Sequence, residues 1–97
     1  MAYKITWLPK AEKRYQEIID WLLENWSERE VRNFVARTED VVKTISNNPD
    51  TYRASEKRKI RQAVVTKHNL LLYRKKSNGV ELITFFDTRQ RPSKKFK

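Results

Sequence analysis

Ninety-seven residues with 22 Lys and Arg, 12 Asp and Glu, one glycine, three prolines and no cysteine suffice for one domain and exclude disulfides, thiolate metal sites and cysteine nucleophiles together. The longest unbroken apolar run, Leu70 to Tyr73, is far short of the ~18 residues a membrane span needs, and Met1 to Lys10 lacks the apolar block of a signal peptide, so a cytoplasmic protein without membrane contact is expected. The net charge of +10 is unevenly placed: residues 1–50 hold 8 basic and 9 acidic side chains, residues 51–97 hold 14 and 3, which gives the second half an attraction for a polyanion or an acidic protein surface.

Tyr3, Ile5 and Trp7 alternate with Lys4 and Thr6, the period of a short strand with one buried face. Pro9 ends that strand and suits a first helical turn, where its missing N–H costs nothing. Ala11, Tyr15, Ile18, Ile19, Leu22 and Trp26 then share one side of a helix of roughly four turns. Ser27 followed by Glu30 has the spacing of a capping box and starts a second helix. Its stripe is Val31, Phe34, Val35, Thr38, Val41, Val42 and Ile45, and it ends before Asn47, Asn48 and Pro49. So tight a connection predicts an antiparallel helical hairpin.

Beyond Pro49 the period changes. Ile60 to Thr66, Asn69 to Lys75 and Val80 to Asp87 read as strands of an antiparallel meander, with turns at Lys67-His68 and Ser77-Asn78-Gly79. Gly79 is expected to supply a positive φ there. The order β-α-α-β-β-β predicts an α+β domain over residues 1–91, a helical hairpin on one face of a mainly antiparallel sheet, followed by a basic tail at 92–97. Two helices cover one face only, yet Leu70 to Tyr73 and Leu82 to Phe86 carry apolar groups of both parities. The uncovered face therefore exposes apolar surface, which marks a partner site. Trp7, Trp21 and Trp26 lie in or beside the apolar stripes and are expected to pack in the core.

Most catalytic patterns are absent. One glycine excludes a glycine-rich phosphate loop, and one histidine without cysteine excludes the familiar zinc sets, so no cofactor and no metal are expected. What remains is cationic: Lys57, Arg58, Lys59 and Arg61 leading into a strand, and Arg74, Arg89 and Arg91 near Asp87. These groups suit phosphates or acidic side chains. His68, in a turn, reads first as a solvated turn residue and second as a general acid or base.

The segments YKITWLPKAEKRYQEIIDWL, ISNNPDTYR after the Phe34 helix, IRQAVVTKHNLLLYRKK and ELITFFDTRQRP, in this order over about residues 3–92, make the chain resemble the RelE/ParE superfamily of bacterial type II toxin–antitoxin toxins. The resemblance implies a toxin of a plasmid-stabilisation system with the fold derived above. It also implies an acidic antitoxin wrapped around it, placed on the open sheet face at Leu71, Tyr73, Ile83 and Phe85. Two activities live on this scaffold: RelE-like toxins cut mRNA in the ribosomal A site, and ParE-like toxins inhibit DNA gyrase. This chain has Asn69 where RelE-like toxins start the strand with an arginine, and Phe96 in place of a C-terminal tyrosine. A phenyl ring carries no proton for activating a ribose hydroxyl, and a lost guanidinium removes stabilisation of the scissile phosphate.

The favoured expectation is therefore a non-enzymatic, ParE-like gyrase inhibitor binding its target through Lys57, Arg58, Lys59, Arg61, Arg74, Arg89 and Arg91. The alternatives are a ribosome-dependent endoribonuclease using Lys57, Lys59, Arg61, His68 and Arg89, and a basic binding module without toxicity.

Overall fold

The computed structural model describes residues 2–55 and 59–88. In chain order these form β1 (Lys4–Trp7), α1 (Pro9–Asn25), α2 (Glu28–Asn47), a 3-10 turn (Pro49–Thr51), β2 (Arg61–Thr66), β3 (Asn69–Lys76) and β4 (Gly79–Asp87). Leu8 stays extended before Pro9, which occupies the first turn of α1, the position where proline has no donor to lose. Ser27 Oγ accepts from the Glu30 amide at 3.4 Å, satisfying one of the amides a helix start leaves open. The expected tail at 92–97 lies outside the described residues.

The four strands form one sheet in the order β1-β4-β3-β2, with β1 parallel to β4 and the other two pairings antiparallel. The hairpin α1–α2 lies on one face and buries Ala11, Phe34, Thr38, Val41 and Ile45 against Ala63, Val65, Leu71, Tyr73, Val80, Leu82 and Phe85. Trp7, Tyr15, Phe34 and Phe85 stack as one aromatic cluster with ring centroids 5.1–6.0 Å apart. Tilted contacts of this kind add to the burial of apolar area. Thr38, the one buried polar residue of α2, returns its hydroxyl to Phe34 O at 2.8 Å.

Two expectations change here. Leu71, Tyr73 and Phe85, expected at an open partner face, are core residues no more than 2% exposed, and only Ile83 of that set is half-buried. The reason is a bulge. Leu72 pairs with Thr84 and Tyr73 with Leu82, leaving Ile83 as the extra residue, so Leu82 and Phe85, three apart, both reach the helical side. The second change concerns Trp21 and Trp26, expected in the core, which are 43% and 65% exposed. Trp21 lies off the row Ala11-Tyr15-Ile18-Leu22, and Trp26, which the helical period would place near that row, falls one residue past the end of α1 with a non-helical backbone.

Gly79 also acts differently from the expectation, since among the described residues no glycine has a positive φ. The requirement is space. A β-carbon at Gly79 would lie 2.8 Å from Lys4 O, the backbone of the parallel neighbour β1. Backbone cannot swing aside as a flexible side chain does, so Gly79→Ala is expected to loosen the start of the β1–β4 pairing and cost about 2 kcal/mol. Urea titration measures the loss, and hydrogen exchange at Thr6 locates it.

Candidate functional site

Arg61 opens β2 on the helix-side parity, opposite Tyr73. Its guanidinium donates to Tyr52 O at 2.6 Å and to Asp50 Oδ1 at 2.9 Å, while Lys75 Nζ donates to Asp50 Oδ2 at 3.2 Å. Asp50 is placed by the 3-10 turn, whose first amide is capped by Asn48 Oδ1 at 3.3 Å. Tyr73 closes the group from below, its buried hydroxyl donating to Pro49 O at 2.7 Å. Burial pushes the Tyr73 phenol up to about 12, against an opposing pull from the Arg61 charge. The Asp50 carboxylate and the Tyr52 carbonyl thus hold Arg61 and Lys75, and the Pro49 carbonyl holds Tyr73, as a clasp fastening residues 49–52 to the sheet.

His68 sits in the β2–β3 turn, its main-chain O accepting from the Thr88 amide at 2.9 Å and its own amide donating to Thr66 Oγ1 at 3.3 Å. Between Arg61 and this turn lies the whole of β2, about 17 Å at the strand rise of ~3.3 Å per residue. Arg61 and His68 are therefore at opposite ends of the sheet. Lys59 is exposed and takes a φ of 54° in the loop before β2, and Arg74 is paired with Glu81 at 2.7 Å. Lys57, Arg58, Arg89 and Arg91 fall outside the described residues. No cluster of His, Asp and Glu able to hold a metal occurs among the described residues.

The sheet face turned away from the helices divides along its length. At the end nearest the β2–β3 turn, Val64, Leu70 and Phe86 form a row across β2, β3 and β4, and Leu72 lies beside it. Val64 is 61% exposed, and the other three are half-buried. At the opposite end Lys4, Arg74 and Lys76 are all exposed, with Lys76 and Lys4 flanking Gly79 in the register. An apolar end and a cationic end on one surface suit a macromolecular partner that is both greasy and acidic. Sequence reasoning identified such a face but placed it on the wrong parity. Gln62 and Thr66, which share the parity of Val64, carry the one local hint, since polar residues two positions to either side mark the solvent side of a strand.

The sequence model of the family described as ParE toxin of type II toxin-antitoxin system, parDE, matches residues 5–92. Among solved structures, the chain is similar to the chromosomal ParDE TA system from P. aeruginosa, with a TM-score of 0.74 and 17% identity over 89% of this chain and 96% of that one. It is also similar to the YoeB dimer from Staphylococcus aureus, with a TM-score of 0.61 and 15% identity over 87% and 94%. At such identities the structural likeness speaks for the fold. No curated protein matches. Among the described residues no helix is long and apolar enough to cross a membrane. With nearly its whole length matched, the chain belongs to the ParE toxin family of type II toxin–antitoxin systems, a membership that implies an antitoxin as its partner.

Proposed function

We propose that this toxin, when free of its antitoxin, arrests growth by inhibiting DNA gyrase, as a binder rather than as a nuclease. The observation that carries the reading is the clasp: Arg61 is committed to Asp50 and Tyr52 O and stands a strand's length from His68. Cleavage of a phosphodiester needs a proton carrier and a cation within about 3 Å of the same reacting group. Membership of the ParE family supports the same choice. The target contact falls to the cationic end of the open face, where Arg74 and Lys76 of the basic second half lie with Lys4 of β1. Antitoxin covers the apolar end at Val64, Leu70, Leu72 and Phe86, and Ile83 lies at its border.

The test is a supercoiling assay with purified gyrase and the full-length toxin. Micromolar toxin is expected to block supercoiling, and added antitoxin to restore it. Replacing Arg74 and Lys76 together by alanine is expected to weaken inhibition at least tenfold, and the remaining inhibition to fall with added salt. Unimpaired supercoiling, together with cuts in ribosome-bound message, overturns the reading in favour of an endoribonuclease.

A further inference from the structure

The two edges of the sheet are finished differently. On β2 the edge is partly closed: the Gln62 amide donates to Arg53 O at 3.1 Å, Ala54 bridges Arg61, and the strand is irregular between Val64 and Thr66. On β1, Tyr3 turns both main-chain groups away from β4, its amide donating to Ser46 O at 2.7 Å and its carbonyl accepting from Ser46 Oγ at 2.8 Å. Leu8, by contrast, donates to Leu82 O at 3.0 Å. Main-chain groups alternate in direction along a strand, so Lys4 and Thr6 bond to β4 while Ile5 and Trp7 present their N–H and C=O outward. Such a row is a template for another strand.

We propose that this edge pairs antiparallel with β1 of a second copy of the chain, about a twofold axis at Thr6. The register follows by elimination, because hydrogen-bonded pairs must join residues that both point outward. An axis at Ile5 sets Trp7 against Tyr3 of the second copy, whose groups Ser46 already holds. An axis at Trp7 sets Ile5 against Pro9, which has no N–H and begins α1. An axis at Thr6 sets Ile5 against Trp7 twice over, an aliphatic–aromatic pair that cross-strand packing favours, and leaves Thr6 facing Thr6 in the closer, non-hydrogen-bonded position.

The surroundings suit this occupant. A cleft of about 510 Å³ runs beside the edge, floored by Ile5, Trp7, Tyr15 and Val42, and a second edge strand would cover it. Glu39 and Lys43 also line it; an acid and a base one helical turn apart are self-complementary across a twofold axis.

The absence of cysteine makes the register directly testable in the full-length chain. In the proposed pairing the two copies of position 6 have Cα atoms about 4.5 Å apart, inside the range of about 4.4–6.8 Å that a disulfide spans. The two copies of position 4 are displaced by about 13 Å. Under mild oxidation Thr6→Cys is expected to form a covalent dimer rapidly and Lys4→Cys, exposed on the same face, at least tenfold more slowly. Sedimentation of the unaltered chain is expected to show a dimer at micromolar concentration, which Thr6→Lys returns to monomer without loss of helical signal. Equal crosslinking at positions 4 and 6, or a monomer at every concentration, overturns the proposal. So does a chain that is monomeric alone and shielded at position 6 only when antitoxin is added, since the edge then belongs to the antitoxin.

Discussion

Phe85→Ala is expected to remove a large share of the stability of this domain, whereas Phe86→Ala, at the next residue, is expected to cost far less. Phe85 is 2% exposed and touches Trp7, Tyr15 and Phe34, so its ring joins β1, α1 and α2 to β4. Truncating a buried phenylalanine costs about 3–5 kcal/mol, transfer and cavity terms together. Domains of this size have about 5–15 kcal/mol in all. Phe86 is half-buried on the open face in the row with Leu70, and its truncation leaves no enclosed cavity, so about 1–2 kcal/mol is expected. Urea unfolding of the two variants checks both the magnitude and the facing of β4. Equal losses would mean that the bulge at Ile83 does not set the parity of the strand as described.

This pair of neighbours marks where the sequence was legible and where it was not. The order of elements, the cap at Ser27, the core stripe of α2 and the antiparallel meander are local features, written in periods and turn residues within a few positions of one another. Which face of the meander meets the helices is not local. Leu70-Leu71-Leu72-Tyr73 and Leu82-Ile83-Thr84-Phe85-Phe86 are apolar at both parities, and a single bulged residue exchanges the two. Expecting Leu71, Tyr73 and Phe85 on the open face is the cost of reading such strands without their partners. The exposure of Trp21 and Trp26 was hidden for a related reason: hydrophobicity reports that a side chain prefers burial, and only the assembled layers say whether anything covers it.

The candidate site was less legible than the fold. Charge asymmetry located the basic half, and the second half does carry the exposed Lys59, Arg74 and Lys76. Yet Arg61, which on sequence was a free cation beside Lys57 and Lys59, belongs to a clasp whose carboxylate, Asp50, lies eleven residues away in the acidic-to-neutral first half. An ion pair between a turn and a distant strand start leaves no periodic trace. The parallel joining of β1 to β4 leaves none either, apart from Gly79, whose lack of a side chain lets Lys4 O approach.

The clasp carries a second large expectation, in alkaline solution. The Tyr73 phenol is raised from the ordinary value of 10.0 to about 12, burial being the main cause. A group whose folded pKa lies above its unfolded one binds its proton more tightly in the native state, so its stabilisation is complete below pH 10 and is lost progressively as pH rises towards 12. A displacement of this size corresponds to about 3 kcal/mol at ~1.4 kcal/mol per unit. Tyr15 is raised as well, by burial and by the charge of Glu39, and adds to the loss in the same direction. Tyr73→Phe retains the ring but removes the hydroxyl that donates to Pro49 O; at neutral pH it is expected to cost about 1–3 kcal/mol, because the carbonyl loses its partner. Above pH 10 the variant is expected to lose stability less steeply than the parent, so the two stability curves converge between pH 10 and 12. Chemical denaturation at a series of pH values measures both slopes. Parallel curves across that window would show that the phenol titrates as it does in the unfolded chain, and that the clasp does not shield it from water.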